Sequence, residues 1–331
     1  MNSRAELSRR ALLRTCGLAA WLRSITRPLR AAEPLVWKEQ PDARDGATRT
    51  YRADAHIVMM SMTLLRRSGV GAGSATWSEN DRVRLLDFTG YSIPERAAGL
   101  NRLGFIRELS RKQQEVVESI YFGLMTASPE ESAAEARSAL HTPTHDQLYT
   151  AIEGRVAAGE ADTSTAHFTA SAKLTVAQHQ ELLGMAREAL STAARTPPEF
   201  DPRTSPRKTF LQALADLLQD PSLDHTRYVY NGRVYALSLR RFPDAKATAY
   251  FRGKHLIGSD ATVVRAEGRL HREVGGKETS FQVWMEQTSR PIPLRIEYQA
   301  KSYLRLVFEA EESTKTLGDV RHIKNRSNVR I

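Results

Sequence analysis

A 331-residue chain with one cysteine has few ways to staple itself or to hold a soft metal. That cysteine is Cys16, so an intrachain disulfide is excluded, and so is a zinc site built from several thiolates. Long apolar runs are missing too. No segment approaches the roughly 18–20 uninterrupted apolar residues of a membrane span, and the chain therefore reads as soluble or peripheral. The sequence contains no Gly-x-Ser-x-Gly elbow, which removes sequence support for a serine hydrolase of that type. Gly69-x-Gly71-x-Gly73 falls short of a dinucleotide fingerprint. Ser74 stands where the third glycine belongs, and a strand-like alternation follows instead of a helix. Small residues in a crowded hairpin explain those glycines.

What is present is concentrated at the two ends. Residues 1–32 hold seven arginines, one acid (Glu6), and a short apolar run from Ala11 to Leu22 that is interrupted by Arg14. Small residues follow at Ala31-Ala32. This is the outline of an export leader of the twin-arginine type, with Arg9-Arg10 before the apolar run. The expected location is the periplasm or another compartment outside the cytoplasm. The leader also changes how charge is read. The chain has 48 basic and 38 acidic residues, a surplus of +10, and removing the leader's surplus of six leaves +4. A pI near 9.8 then gives little support to nucleic-acid binding.

Periodicity divides the remainder. Residues 33–50 read as a linker, and 51–92 as strands. Tyr51 to Leu65 is extended, Arg66 to Gly69 turns, and Val70 to Trp77 and Val83 to Phe88 pair around Asn80-Asp81. Residues 93–206 read as a mostly helical insert. Leu100, Leu103, Ile106, Leu109, Val116, Val117, Ile120 and Leu124 recur at three- and four-residue steps. Ser128-Pro129-Glu130-Glu131 resembles a capping box opening a helix to about Leu140. Strands are expected within 148–156 and 166–174, and a helix from Val176 to Ala194. Four prolines between Thr196 and Pro206 break the chain.

Residues 207–311 open with a helix to Leu218 and then read as antiparallel strands. Asn231-Gly232 and Gly275-Gly276 are two-residue hairpin turns. Ala247 to Phe251, Ala261 to Arg265, and the alternating residues of 281–286, 294–298 and 304–308 supply the strands. Residues 312–331 read as a flexible basic tail. The fold class expected is α+β: a curved antiparallel β-sheet, a clamshell or half-barrel, with an inserted helical region packed against it.

The segments Phe281-Gln282-Val283-Trp284-Met285, Arg290-Pro291-Ile292-Pro293-Leu294-Arg295-Ile296-Glu297-Tyr298 and Leu304-Arg305-Leu306-Val307-Phe308 resemble the bacterial DUF3108-like envelope proteins. The stretch from Asp216 to Leu239 and the strand at Tyr51 with its Gly-rich hairpin are similar as well. The resemblance implies a strongly curved antiparallel sheet, loosely like the lipoprotein-carrier clamshell of the bacterial envelope. It supplies no catalytic residues to carry over.

Few residues suggest chemistry. His141 and His145 lie four apart, but Pro143 between them opposes the helix that would bring them onto one face, so no metal is expected. Glu130, Glu131 and Glu135 are explained by a first helical turn, where acids favour the dipole. No catalytic residue and no cofactor is assigned. The aromatic residues of the C-terminal strands are the candidate ligand contacts: Tyr230, Tyr235, Tyr250, Trp284 and Tyr298. Trp284 lies on the strand face opposite Phe281, Val283 and Met285, so both faces need a cover. A basic stretch from Arg233 to Arg272 is explained by edge-strand charges or by contact with an anionic surface.

The function expected is a non-catalytic envelope protein that binds an apolar or amphipathic ligand in the concave face of its sheet. The partners expected are a lipid or other apolar ligand, an envelope protein and a peripheral membrane surface; nucleic acid is not. Two alternatives are a hydrolase-type enzyme with a site between insert and sheet, and a scaffold or assembly factor.

Overall fold

The computed structural model describes residues 46–59, 62–99, 101–113, 116–127, 146–171, 179–276, 278–288 and 290–311. The export leader, the Ser128 capping box, the His141/His145 pair and the C-terminal tail lie outside them. Among the described residues one antiparallel sheet of 14 strands dominates. Its first arm is β1 (Gly46–Met59), β2 (Met62–Glu79), β3 (Val83–Ser92), β4 (Leu103–Gln113), β5 (Val116–Thr126), β6 (Asp146–Ala157), β7 (Glu160–Ser171) and the short β8 (Arg195–Thr196). The second arm is β9 (His225–Tyr230), β10 (Arg233–Pro243), β11 (Val263–Arg272), β12 (Thr279–Glu286), β13 (Arg295–Lys301) and β14 (Leu304–Ala310). Three helices accompany them: α1 (His179–Thr192), α2 (Phe210–Gln219) and α3 (Ala245–Gly253).

The spatial order is β8-β7-β6-β5-β4-β3-β2-β1-β14-β13-β12-β11-β10-β9. The first and last described strands therefore pair at the centre, with Tyr51 opposite Ala310 and Ile57 opposite Leu304. The middle of the chain supplies both outer edges, and those edges meet. Asn231 Oδ1, at the β9–β10 turn, accepts hydrogen bonds from Thr163 (3.4 Å) and Thr165 (3.2 Å) of β7. The Glu199 N–H donates to Gly232 O at 2.8 Å. Val156 of β6 packs with Val229 and Val234. Right-handed strand twist accumulated over so many strands curls the sheet until its edges touch. Asn231 and Gly232 sit at φ 47° and 67°, the left-handed pair that a tight hairpin requires.

The curled sheet has an inner face filled by α2. Ala213, Leu217 and Leu218 pack with Tyr228, Leu237, Leu239, Phe281, Val283 and Met285. The outer face is covered locally by α3, which lies over Trp284 and Leu294; α1 packs on β6 and β7. Two inward rings need glycine opposite them. A Cβ at Gly154 would collide with the Tyr121 ring, and one at Gly268 with the Phe281 ring, so bare backbone lets each aromatic lie flat across its neighbour.

Three expectations are corrected. Residues 103–126 form β4 and β5, and within the helical insert expected over 93–206 α1 is the one helix among the described residues. Apolar side chains occur at adjacent positions on these strands (Phe105 and Ile106; Tyr121 and Phe122), so both faces carry them, and they happen to fit a three/four rhythm. Their β-branched and aromatic content was the better guide. Second, the turn expected at 66–69 lies inside β2, which begins at Met62; Gly69 at φ 63° accommodates an irregularity there and does not reverse the chain. Residues 46–50 likewise belong to β1, not to a linker. Third, Ala247 to Phe251 lies in α3. Asp244 caps that helix, its carboxylate accepting from Ala247 N at 2.8 Å, a local signal stronger than the apolar spacing.

Candidate functional site

The site grows from how α2 is held. Its N-terminus meets Glu108 of β4, a carboxylate with 0% exposure. Glu108 Oε2 accepts from the Thr209 hydroxyl at 2.5 Å and from the Gln212 N–H at 3.0 Å. The cap is thus supplied by a distant strand and not by the local Thr209. Ser119 of β5 lies 2.7 Å from Arg207 O and 2.9 Å from Gln212 Oε1, fixing the approach to the helix. At the other end Arg241 of β10 donates to the Leu217, Asp220 (3.1 Å) and Leu223 (2.8 Å) carbonyls. A carboxylate at the N-terminus and a guanidinium at the C-terminus both suit the helix dipole. Arg84 and Lys208 each reach Asp216 at 2.7 Å, adding lateral ties.

Burial raises the Glu108 carboxyl from 4.5 to about 7; the hydrogen bonds from Thr209 and the first helical N–H groups oppose that rise without cancelling it. A carboxyl that holds its proton more tightly folded than unfolded contributes stability below about pH 4.5 that is lost as pH rises through about 7. The move is worth on the order of 3 kcal/mol. Melting temperatures of Glu108→Gln are expected to fall less between those pH values than those of the parent chain; identical slopes would show that Glu108 titrates normally. Some slope is expected to persist, because burial raises Glu153 to about 7 as well.

With α2 anchored, its apolar face leaves an unfilled space. A cavity of about 310 Å³ lies between the helix and the inner sheet. Phe210, Leu211, Leu214, Ala215 and Leu218 line one wall; Ala75, Trp77, Leu86, Phe88, Ile106 and Phe308 line another. The strands of the second arm close it with Leu270, Phe281, Val283, Ile296 and Tyr298, and the 291–293 segment forms its floor. That floor is fixed by Tyr51, whose hydroxyl donates to Pro293 O at 2.8 Å, and by Arg49, which donates to Ile292 O at 2.8 Å. The only polar side chains in the lining are Thr76, Trp77 and Tyr298, and the Trp77 indole N–H is already engaged by Glu79 at 3.1 Å. No carboxylate, histidine or serine reaches it among the described residues. Trp77 and Ile292 are buried, whereas Tyr298, opposite the inward Phe281, is 40% exposed. Tyr298 is the one lining residue that is both aromatic and exposed.

The five aromatic candidates separate into three groups. Tyr298 lines the cavity. Tyr230 and Tyr235 point inward beside it: Tyr235 stacks on Tyr228 with centroids 5.2 Å apart, and Tyr230 lies 5.2 Å from Tyr121. Burial raises the phenols of Tyr228 and Tyr230 above their ordinary range, which keeps them neutral. Tyr250 and Trp284 belong to the outer face. Arg295 lies over both rings, and the Trp284 indole N–H donates to Asp244 at 3.0 Å. The residues that sequence reasoning missed are those of the first arm, Trp77, Phe88 and Ile106, together with Glu108. An acid inside the run Phe105-Ile106-Arg107-Glu108-Leu109 was the available signal. The basic stretch is largely tied up: Arg233 and Arg272 pair with Glu199, Lys254 with Glu309, Arg265 with Glu267 and Arg269 with Glu278.

No helix among the described residues is long and apolar enough to cross a membrane, and none of them form a cluster of metal-ligating groups. No family model matches the chain, and no curated protein matches it. Among solved structures the chain is similar to a β-barrel-like protein of domain of unknown function DUF1849 from Brucella abortus. The two share 9% identity with a TM-score of 0.32, over 80% of this chain and 95% of that one.

Proposed function

We propose that this protein is a non-catalytic cell-envelope carrier that holds a small apolar ligand, such as a single acyl chain, inside its curled sheet. The observation carrying this reading is the cavity itself. At about 310 Å³ it sits at the lower end of the roughly 300–1,000 Å³ typical of small-molecule sites. Its lining is apolar apart from Thr76, Trp77 and Tyr298, which favours transfer of hydrocarbon from water, and among the described residues it offers no carboxylate, histidine or serine for acid–base or nucleophilic work. The leader-like N-terminus and the resemblance to DUF3108-like envelope proteins support the compartment.

Substitution Ala75→Phe tests the reading, since Ala75 lines the cavity on β2 and a ring there fills the space. A fluorescent fatty acid should bind the parent chain with quenching of Trp77, and Ala75→Phe should weaken binding by about tenfold or more, or ~1.4 kcal/mol. Native mass spectrometry of the protein from its own envelope should show an apolar adduct that the variant lacks. Equal binding by both proteins, with no adduct on either, would sink the proposal.

A further inference from the structure

The β1–β2 hairpin carries a second feature that neither the cavity nor the fold requires. Every described residue from Met62 to Ser68 is exposed. Met62, Leu64 and Leu65 are 62%, 55% and 61% exposed. Leu64 and Leu65 point to opposite faces of the strand, so the apolar surface wraps the hairpin and is not the back of a buried face. Soluble proteins seldom leave such a cluster open without a use for it. The adjoining β13–β14 turn adds to it. The Val58 N–H donates to Tyr303 O at 2.9 Å, and Tyr303 is 58% exposed.

The charge around this apex is net positive, although Arg52 and Arg66 pair with Asp54 and Arg305 with Glu297. Residues 52–67 and 297–305 contain the cations Arg52, Arg66, Arg67, Lys301 and Arg305 against Asp54 and Glu297, a surplus of three. The arrangement is built, not frayed. Asp54 is buried and accepts from Gly69 N at 2.8 Å and from Arg66 at 2.6 Å, which ties the base of the hairpin together.

We infer that the β1–β2 hairpin and Tyr303 dock this protein onto an anionic bilayer surface. Apolar side chains at an apex, an aromatic beside them and cations behind are what the headgroup region selects. Another strand is a poorer occupant. Met62 to Gly69 has no β3 partner, since that pairing starts at Gly71, but Arg66 and Arg67 sit mid-edge and the register shifts between Ala53 and Ala55 and between Ile57 and Val58. Charged edges and irregular register oppose strand addition. The placement also deepens the carrier reading. Tyr298 pairs with Leu306, and Leu306 with Ala55, so this exposed lining residue lies two strands from β1 and toward the hairpin end.

Vesicle co-sedimentation of the full chain tests this. Vesicles of phosphatidylcholine containing phosphatidylglycerol should bind the parent chain, with binding reduced about tenfold or more on phosphatidylcholine alone. Leu64→Glu/Leu65→Glu should abolish binding to both. Arg67→Glu/Lys301→Glu should lose about tenfold on the anionic vesicles only. In a Cys16→Ser background, a polarity-sensitive dye on Leu64→Cys should shift to the blue when anionic vesicles are added. Unchanged melting temperatures confirm that the variants fold. The inference falls if the parent chain ignores both vesicle types, if all variants bind alike, or if Leu64→Glu/Leu65→Glu instead dissolves a concentration-dependent dimer. Ala75→Phe should still bind vesicles, so failure of the ligand reading and failure of the docking surface give different results.

Discussion

Leu217→Ala is expected to lower stability by roughly 2–5 kcal/mol, read as a fall in melting temperature and in denaturant midpoint without loss of secondary structure. Leu217 has 0% exposure and sits on α2 at the centre of the cluster with Leu237, Leu239 and Met285. The upper half of that range applies where the surroundings resist collapse, and here they do. Glu108 holds the helix at one end and Arg241 at the other, so α2 has little freedom to slide into the space. Strands β9, β10, β11 and β12 share the lost contacts, so the damage is not confined to one hairpin. A cost under about 1 kcal/mol would show that α2 rests loosely inside the sheet, and the cavity beside it would then lack a fixed wall. Leu218→Ala provides the comparison: Leu218 borders the cavity, so its truncation also enlarges the space available to a ligand.

The second arm of the fold was legible because its strands follow the simple rules. Asn231-Gly232 marks a turn with one backbone solution, and Phe281, Val283 and Met285 alternate cleanly as inward positions under α2. Trp284 announced a second cover on the opposite face, and α3 is that cover. The first arm was harder because burial on both faces erases alternation. Phe105 pairs with Phe122 on one side of β4 and β5, while Ile106 reaches the cavity on the other. The cavity was half legible for the same reason. Its aromatic wall on β12 and β13 comes from alternating strands, whereas Phe88, Ile106 and Phe308 meet only when the sheet's central pairing of β1 with β14 joins its two arms. The trans-cap of α2 by Glu108 spans about a hundred residues of sequence, and no local pattern encodes it.

Glu309→Ala is expected to cost about 3 kcal/mol, through charge and not through cavity volume. Glu309 is 6% exposed and accepts from the Tyr250 hydroxyl at 2.5 Å, Lys254 Nζ at 2.6 Å and Arg295 Nε at 3.0 Å. The Arg295 guanidinium also lies over Tyr250, Phe251 and Trp284 at 5.2–5.5 Å, so removal of its carboxylate leaves a cation held among rings. Lys254 is half-exposed and can turn to water, which places the cost at the lower end of the range for breaking a buried pair. Acid titration separates charge from packing. Lys254, Tyr250 and Arg295 together hold Glu309 down to about 2 against the desolvation that opposes them. A carboxyl depressed in this way contributes stability above about pH 4.5 that is lost as pH falls toward about 2. Glu309→Gln should therefore flatten the acid limb of the stability profile, while Glu108→Gln flattens the limb above it. The two carboxyls sit on opposite faces of one sheet, one anchoring the inner helix and the other the outer. If Glu309→Gln left the acid limb unchanged, or Glu108→Gln left the upper limb unchanged, the pH dependence would not arise from these two carboxyls.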